Sequence, residues 1–238
     1  MSASRRRLLV PAATTLFFFL LLLGLGVWQL FRLQWKEGIL AQVARSEVAP
    51  PVPLTAHPPR YFRVVVKGRY LPGFSALYGV STRDDATGLV LGADALAGLV
   101  REDGRPVLVN RGWVPASAHQ KRGPPPPAGE VSVVGYVQDP VSGSPFTPND
   151  DPAAGRVYAL DPARIAREFH LPPLAGITVV AMGPARPGPV DATSTTPIPA
   201  QHLPRPPNHH LGYALTWFSL AIALAVIFWN FVRRTRES

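Results

Sequence analysis

The sequence predicts a membrane protein in which two terminal transmembrane helices flank a mostly antiparallel β domain, small, barrel-like and of α+β character, on the extracytoplasmic side. Three observations predict it. Leu8 to Phe31 holds no charged residue over 24 positions, and Leu211 to Val232 none over 22, whereas about 20 apolar residues suffice to cross the hydrocarbon core. Arginines stand just outside both runs, at Arg5, Arg6 and Arg7 and at Arg233, Arg234 and Arg236, so the positive-inside rule keeps both ends in the cytoplasm. The 179 residues between them, 32–210, are enough for a core of their own and read as short β-branched runs separated by turns.

The expected organisation is a cytoplasmic tail and first transmembrane helix at 1–31, an extracytoplasmic β-rich domain at 32–183, a Pro-rich tether at 184–207, and a second transmembrane helix with its tail at 208–238. A basic cluster before an apolar run also suits a cleaved signal peptide. The run is longer than the usual signal core of about 7–15 residues, and no A-x-A site follows Phe31. Seven residues ahead of the first helix leave no room for an organellar transit peptide, so the expected place is a bacterial inner (cell) membrane. Trp217 and Trp229 stand towards the two ends of the second run, where interfacial aromatics collect.

Composition limits the function classes. The net charge of +9 would suit nucleic acid, but six of the arginines flank the apolar runs. The part between carries 18 Lys/Arg against 14 Asp/Glu, which is no basic footprint. No nucleic-acid partner is expected. There is no cysteine, hence no disulfide framework and no thiolate metal site.

In chain order, residues 32–46 continue the first helix, with Trp35, Ile39, Leu40 and Val43 at helical spacing, until five prolines between Pro50 and Pro59 break it. Phe62 to Leu71 alternates as a strand, with Val64, Val66 and Tyr70 on one face. Leu77 to Val80 and Gly88 to Leu91 are weaker strands. Pro106 to Val114 is strong, with Val107, Val109, Arg111 and Trp113 on one side. Val131 to Val137 and Ile177 to Met182 complete the set. Lys121 to Gly129, with four consecutive prolines, is a loop. Asp161 as N-cap, Pro162 at the first helical position and Ile165 four before Phe169 predict one short helix. Eight prolines between 184 and 207 predict an extended tether.

Enzyme signatures are missing: no H-E-x-x-H, G-x-S-x-G, phosphate-binding or dinucleotide-binding glycine motif occurs. Asp84/Asp85 and Asp150/Asp151 lie in turn-like stretches and read as solvated, and His57, His119, His170 and His202 as single surface residues. His209 and His210 differ, because they stand at the external mouth of the second apolar helix. Imidazole is a common haem-iron ligand, and from His210 the same helical face runs through Ala214 and Trp217, a small residue leaving room for a flat macrocycle. The pair also suits an anchor among lipid headgroups. At the mouth of the first helix Trp28, Arg32 and Trp35 share a face. Arg32 there can snorkel to lipid phosphate or pair with a carboxylate of a bound amphiphile such as a haem propionate.

Three stretches resemble a known family. Gly26 to Lys36, with Trp28, Gln29, Arg32 and Trp35, resembles the first signature of the Surfeit-locus family of cytochrome c oxidase assembly proteins. Val107 to Pro115, containing Asn110, Arg111, Gly112 and Trp113, resembles its central signature, and Asn208 to Phe218, containing His210, Tyr213, Thr216 and Trp217, its third. Tyr158 to Phe169 resembles a weaker stretch. The order and spacing match over essentially the whole chain. The resemblance implies a non-enzymatic assembly factor that binds haem A transiently and delivers it to the catalytic subunit of a haem–copper oxidase. The expected partners are that subunit, the haem A supply machinery and the membrane. It implies His210 as the iron ligand. The family pattern has a second Asn where this chain has His209, so His209 remains a candidate ligand, with Trp217, Arg32 and Trp28 as further haem contacts. Arg111 and Trp113 read as structural, a buried Arg organising the barrel and a core Trp. The alternatives are a scaffold for oxidase subunits that never touches haem, and an enzyme of haem modification, against which the missing motifs weigh.

Overall fold

The structure is a computed structural model and describes residues 3–55, 58, 62–85, 88–116, 122–184, 196–205 and 207–237. His57, His119, Lys121 and the 185–195 part of the expected tether lie outside these residues. The chain divides into two compact units, Met1–Gln42 with Arg205–Ser238, and Val43–Pro204.

The first unit is a pair of helices. α1 (Ala3–Val48) is a single 46-residue helix, so the helical spacing beyond Phe31 does continue the first apolar run. It stops just before Pro50 and Pro51, where the residue preceding a proline is pushed out of the α region. α3 (His210–Glu237) is the other. Both are long and apolar enough to cross a membrane, over Leu9–Val48 and His210–Thr235.

The second unit is built on β1 (Val52–Pro53), β2 (Arg63–Tyr70), β3 (Ala76–Asp85), β4 (Gly88–Arg101), β5 (Pro106–Pro115), β6 (Glu130–Gln138), β7 (Arg156–Val157), the helix α2 (Pro162–Glu168) and β8 (Thr178–Ala181). The strands run in the order β1-β2-β6-β8-β5-β4-β3-β7, and β2 also pairs with β4. Strands β2, β6, β8, β5 and β4 therefore close into a five-strand barrel. The closing contact joins Gly68 to Arg101 and Tyr70 to Leu99, and it needs glycine, since a Cβ on Gly68 would lie 2.8 Å from the Val100 carbonyl carbon. Most pairings are antiparallel; β1–β2, β3–β7 and β5–β8 are parallel.

Val64, Val66, Leu99, Val107, Val109 and Val179 fill the barrel. A second cluster joins Leu96 and Leu108 to Phe74, Ala76, Val157, Leu160 and Ile165 of α2. Strand β5 is thus covered on both faces, which is why its apolar residues run nearly without interruption. Asp161 caps α2 as the sequence predicts, its carboxylate accepting from the N–H groups of Ala163 and Arg164 with Pro162 following it.

Four features differ from the sequence expectations. Strand β4 runs to Arg101, well past Leu91. Its Gly92-Ala93-Asp94-Ala95-Leu96-Ala97-Gly98 stretch has poor local β propensity. Packing makes it a strand: Trp113 lies on Gly92 and Leu71 on Gly98, where larger residues would collide. Second, Arg111 and Trp113 do not share surroundings, because the β4–β5 register shifts between Ala95 and Leu96, opposite Gly112 and Asn110. Third, the end of the expected tether is part of the β unit. Ile198 pairs with Trp113 and Ala200 with Met182, and Leu203 is buried, its N–H donating to Glu47 Oε1 at 3.0 Å. Fourth, Asp150 is not solvated; its side chain is fully inaccessible beside Arg164.

Candidate functional site

The facing sides of the helix pair are made by small residues. Ala214 and Ala221 of α3 are each 1% exposed, and a Cβ on Gly26 of α1 would lie 2.7 Å from the Phe218 ring. Close approach of this kind lets two helices associate without bulky interdigitation. At one end of this seam sits its polar pair: His210 Nδ1 lies 2.7 Å from Gln29 Oε1, and Gln29 is buried. With the Gln29 amide oxygen facing the ring, Nδ1 is the donor. In the neutral tautomer that makes this bond, Nε2 keeps its lone pair, the form in which imidazole ligates a metal, and a hydrogen bond to the other ring nitrogen is the usual means of fixing such a ligand's tautomer and orientation.

Among the described residues, Trp217 Nε1 and Asn208 Oδ1 are both buried without a hydrogen bond. Buried polar groups are ordinarily satisfied, so each orphan asks for an explanation. Trp217 stands seven residues after His210, two turns along the same face, and its indole can only donate.

The sequence-predicted site residues are therefore only partly brought together. His210 and Trp217 lie on the partly buried side of α3 with Ala214. His209 is exposed, one residue ahead of the helix. Trp28 is 52% exposed, and Arg32, also exposed, stacks its guanidinium 4.6 Å over the Trp35 ring. Trp28, Arg32 and Trp35 do share a face of α1, but it is not the face that carries Gln29 and Gly26. Gln29 is the residue to which sequence reasoning gave no role. Its signal was present, an uncharged polar side chain inside a run of apolar ones, the kind of position that is usually functional.

These residues fit a haem on the proximal side: an oriented imidazole with Nε2 available, a small residue one turn on, and an unpaired donor for an oxygen of the bound group. A cation facing the same seam, suited to propionates, is not among the residues that meet there.

The central Asn110-Arg111-Gly112-Trp113 stretch is accounted for within the β unit. Asn110 donates to Asp94 Oδ2 at 2.9 Å and accepts from the Gly112 N–H at 2.9 Å, bracing the register shift. Gly112 has φ +117° and a Cβ there would lie 2.7 Å from Pro199 Cα. This lets Trp113 exchange two backbone hydrogen bonds with Ile198, at 2.9 and 2.8 Å. Trp113 is fully buried, with Arg83 5.4 Å from its ring. Arg111 donates to the Pro124 carbonyl at 2.7 Å and lies 5.8 Å over Tyr70. Burial raises the Tyr70 phenol's pKa and lowers that of the Arg111 guanidinium, each partly offset by the other group.

Comparison with known proteins follows the same stretches. The model of the SURF1 family matches residues 16–222. The chain is 30% identical over 227 residues to a SURF1-like protein of Monosiga brevicollis, covering 89% of this chain and 83% of that protein. It is 30% identical over 234 residues to Surfeit locus protein 1 of Mus musculus, covering 89% and 72%, and 27% identical over 236 residues to the Homo sapiens protein of that name, covering 89% and 74%.

Proposed function

Because the chain belongs to the SURF1 family, whose members are cytochrome c oxidase assembly factors, we propose that it acts in that assembly as a haem A chaperone, holding the group on His210 and passing it to the oxidase catalytic subunit. The observation that carries this reading is the hydrogen bond between Gln29 and His210, which orients the imidazole through Nδ1 and leaves Nε2 outside that bond. Haem A, when bound, supplies the iron that this nitrogen ligates. The chain's own residues do the rest. Gln29 fixes the ring and the Trp217 N–H offers a donor to an oxygen of the bound group. The proposed role is binding and transfer.

The two apolar helices support a place in a membrane, and the flanking arginines support an extracytoplasmic β unit in a bacterial inner membrane. The competing reading is a scaffold for oxidase subunits that never binds haem. Visible absorption of the detergent-solubilised protein, purified from cells that make haem A, separates the two. A stoichiometric haem A spectrum is expected; a colourless protein from the same cells favours the scaffold.

A further inference from the structure

Asp150 and Glu168 form a second polar pair, in the β unit, with Asp150 inaccessible and the Glu168 side chain 33% exposed. Asp150 Oδ1 accepts the Tyr158 N–H at 2.6 Å. Its Oδ2 lies 3.2 Å from Arg164 Nε, and its side chain is fully inaccessible. That same Nε donates to Glu168 Oε1 at 2.8 Å. One N–H thus faces two carboxylates. The two oxygens left over, Asp150 Oδ2 and Glu168 Oε2, are both buried and, among the described residues, both without a hydrogen-bond partner, and the two carboxyl groups are brought side by side by the Arg164 Nε they share.

Two carboxylates beside a single guanidinium leave one negative charge uncompensated next to the inaccessible Asp150 side chain. Like charges so placed cannot both ionise at ordinary cost. A single proton removes the excess charge and satisfies both orphan oxygens at once, one as donor and the other as acceptor. The other carboxylates nearby are engaged elsewhere: Asp151 accepts from Ala154 and Asp161 caps α2.

We propose that Asp150 and Glu168 share one proton, and that this proton makes the attachment of the 139–152 segment to α2 pH-sensitive, tight in mild acid and loosened as the proton leaves. The direction agrees with the Asp150 carboxyl, whose pKa is raised, by burial first, then by Glu168, against the lowering effects of the Tyr158 N–H and Arg164. The sign follows. A raised folded-state pKa gives an attachment fully present below the ordinary aspartate value and lost as pH rises to the raised one. Within that window the opening equilibrium climbs by up to about tenfold per pH unit. Once open, the segment frees a turn stapled by Ser144 and Thr147, with Phe146 at its tip 94% exposed.

The test is amide exchange at Tyr158, whose N–H is bound to Asp150, in the full chain, corrected for the intrinsic pH dependence of exchange. Wild type should lose protection as pH rises from the ordinary aspartate value towards the raised one. Asp150→Asn supplies the missing donor permanently and still accepts from Tyr158, so protection there should be flat with pH and, at the alkaline end, at least as high as in wild type. Infrared difference spectra should show a protonated-carboxyl band in wild type at the acid end and its loss in Asp150→Asn. If Asp150→Asn loosens Tyr158 as much as Asp150→Ala does at every pH, or if wild-type protection does not vary with pH, Asp150 is an ordinary ionised partner of Arg164 and the shared proton is ruled out.

Discussion

Gln29 and His210, 181 positions apart, meet through one 2.7 Å hydrogen bond between the two apolar helices. An amide buried among apolar side chains is costly unless satisfied, and here it is satisfied by the ring proposed as the iron ligand. Removing the amide should leave the imidazole in place but unaimed. Gln29→Ala should therefore keep the axial-ligand signature of bound haem while lowering retention about tenfold or more, the usual effect of losing a partner that orients a metal ligand. The check is haem per protein after a fixed detergent wash. Unchanged retention would mean that the bond does not orient the ligand.

Gly112 should be the least tolerant glycine of the barrel. Its φ of +117° and its contact with Ile198 and Pro199 both exclude a side chain. Gly112→Ala should cost about 2 kcal/mol or more in unfolding free energy. Gly73, with φ +77° and nothing within 4 Å, is the control. There Ala should cost only the left-handed backbone penalty, about 1–2 kcal/mol. Equal losses in urea unfolding would show that the Ile198 pairing contributes nothing.

Removing the α2 cap should act locally. Asp161→Ala leaves the Ala163 and Arg164 N–H groups unsatisfied and should destabilise the β unit by about 1 kcal/mol. Denaturant titration measures this loss, and no change would mean that water replaces the cap without cost.

The topology is testable with alkaline phosphatase, which is active only where disulfides form. A fusion after residue 120 should be active and one after residue 236 inactive. The reverse pattern contradicts an extracytoplasmic β unit.

Much of this architecture is legible in the sequence because local chemistry dictates it. Uncharged runs bounded by arginines give the helices, and Asp161-Pro162 gives the start of α2. Alternating Val64, Val66 and Val107, Val109 give the barrel lining. What is not legible depends on contacts between distant segments. Strand β4 is held by Trp113 and Leu71 packing on its glycines, so its Ala/Gly-rich stretch carries little signal of its own. Residues 196–203 look like tether because they continue a stretch with eight prolines between 184 and 207, yet Ile198 and Ala200 pair with Trp113 and Met182 upstream. In the candidate site the shared face of His210, Ala214 and Trp217 was readable from helical spacing. The contact of Gln29 was not, since no one-dimensional pattern tells which side of α1 turns towards α3. Spacing also grouped Trp28, Arg32 and Trp35 on one face, and in the structure Trp28 and Arg32 are exposed.

The central claim is that His210, not His209, presents the ligating nitrogen, and its most direct measurement is the visible spectrum and haem content of the two alanine variants, produced side by side in cells that make haem A. His210 faces Gln29 while His209 is exposed, so His210→Ala should abolish or strongly reduce co-purified haem and change the iron's spectrum, and His209→Ala should leave both nearly as in wild type. Wild-type haem in His210→Ala together with a lost spectrum in His209→Ala would contradict the assignment, and wild-type haem in both would place the ligand outside this motif.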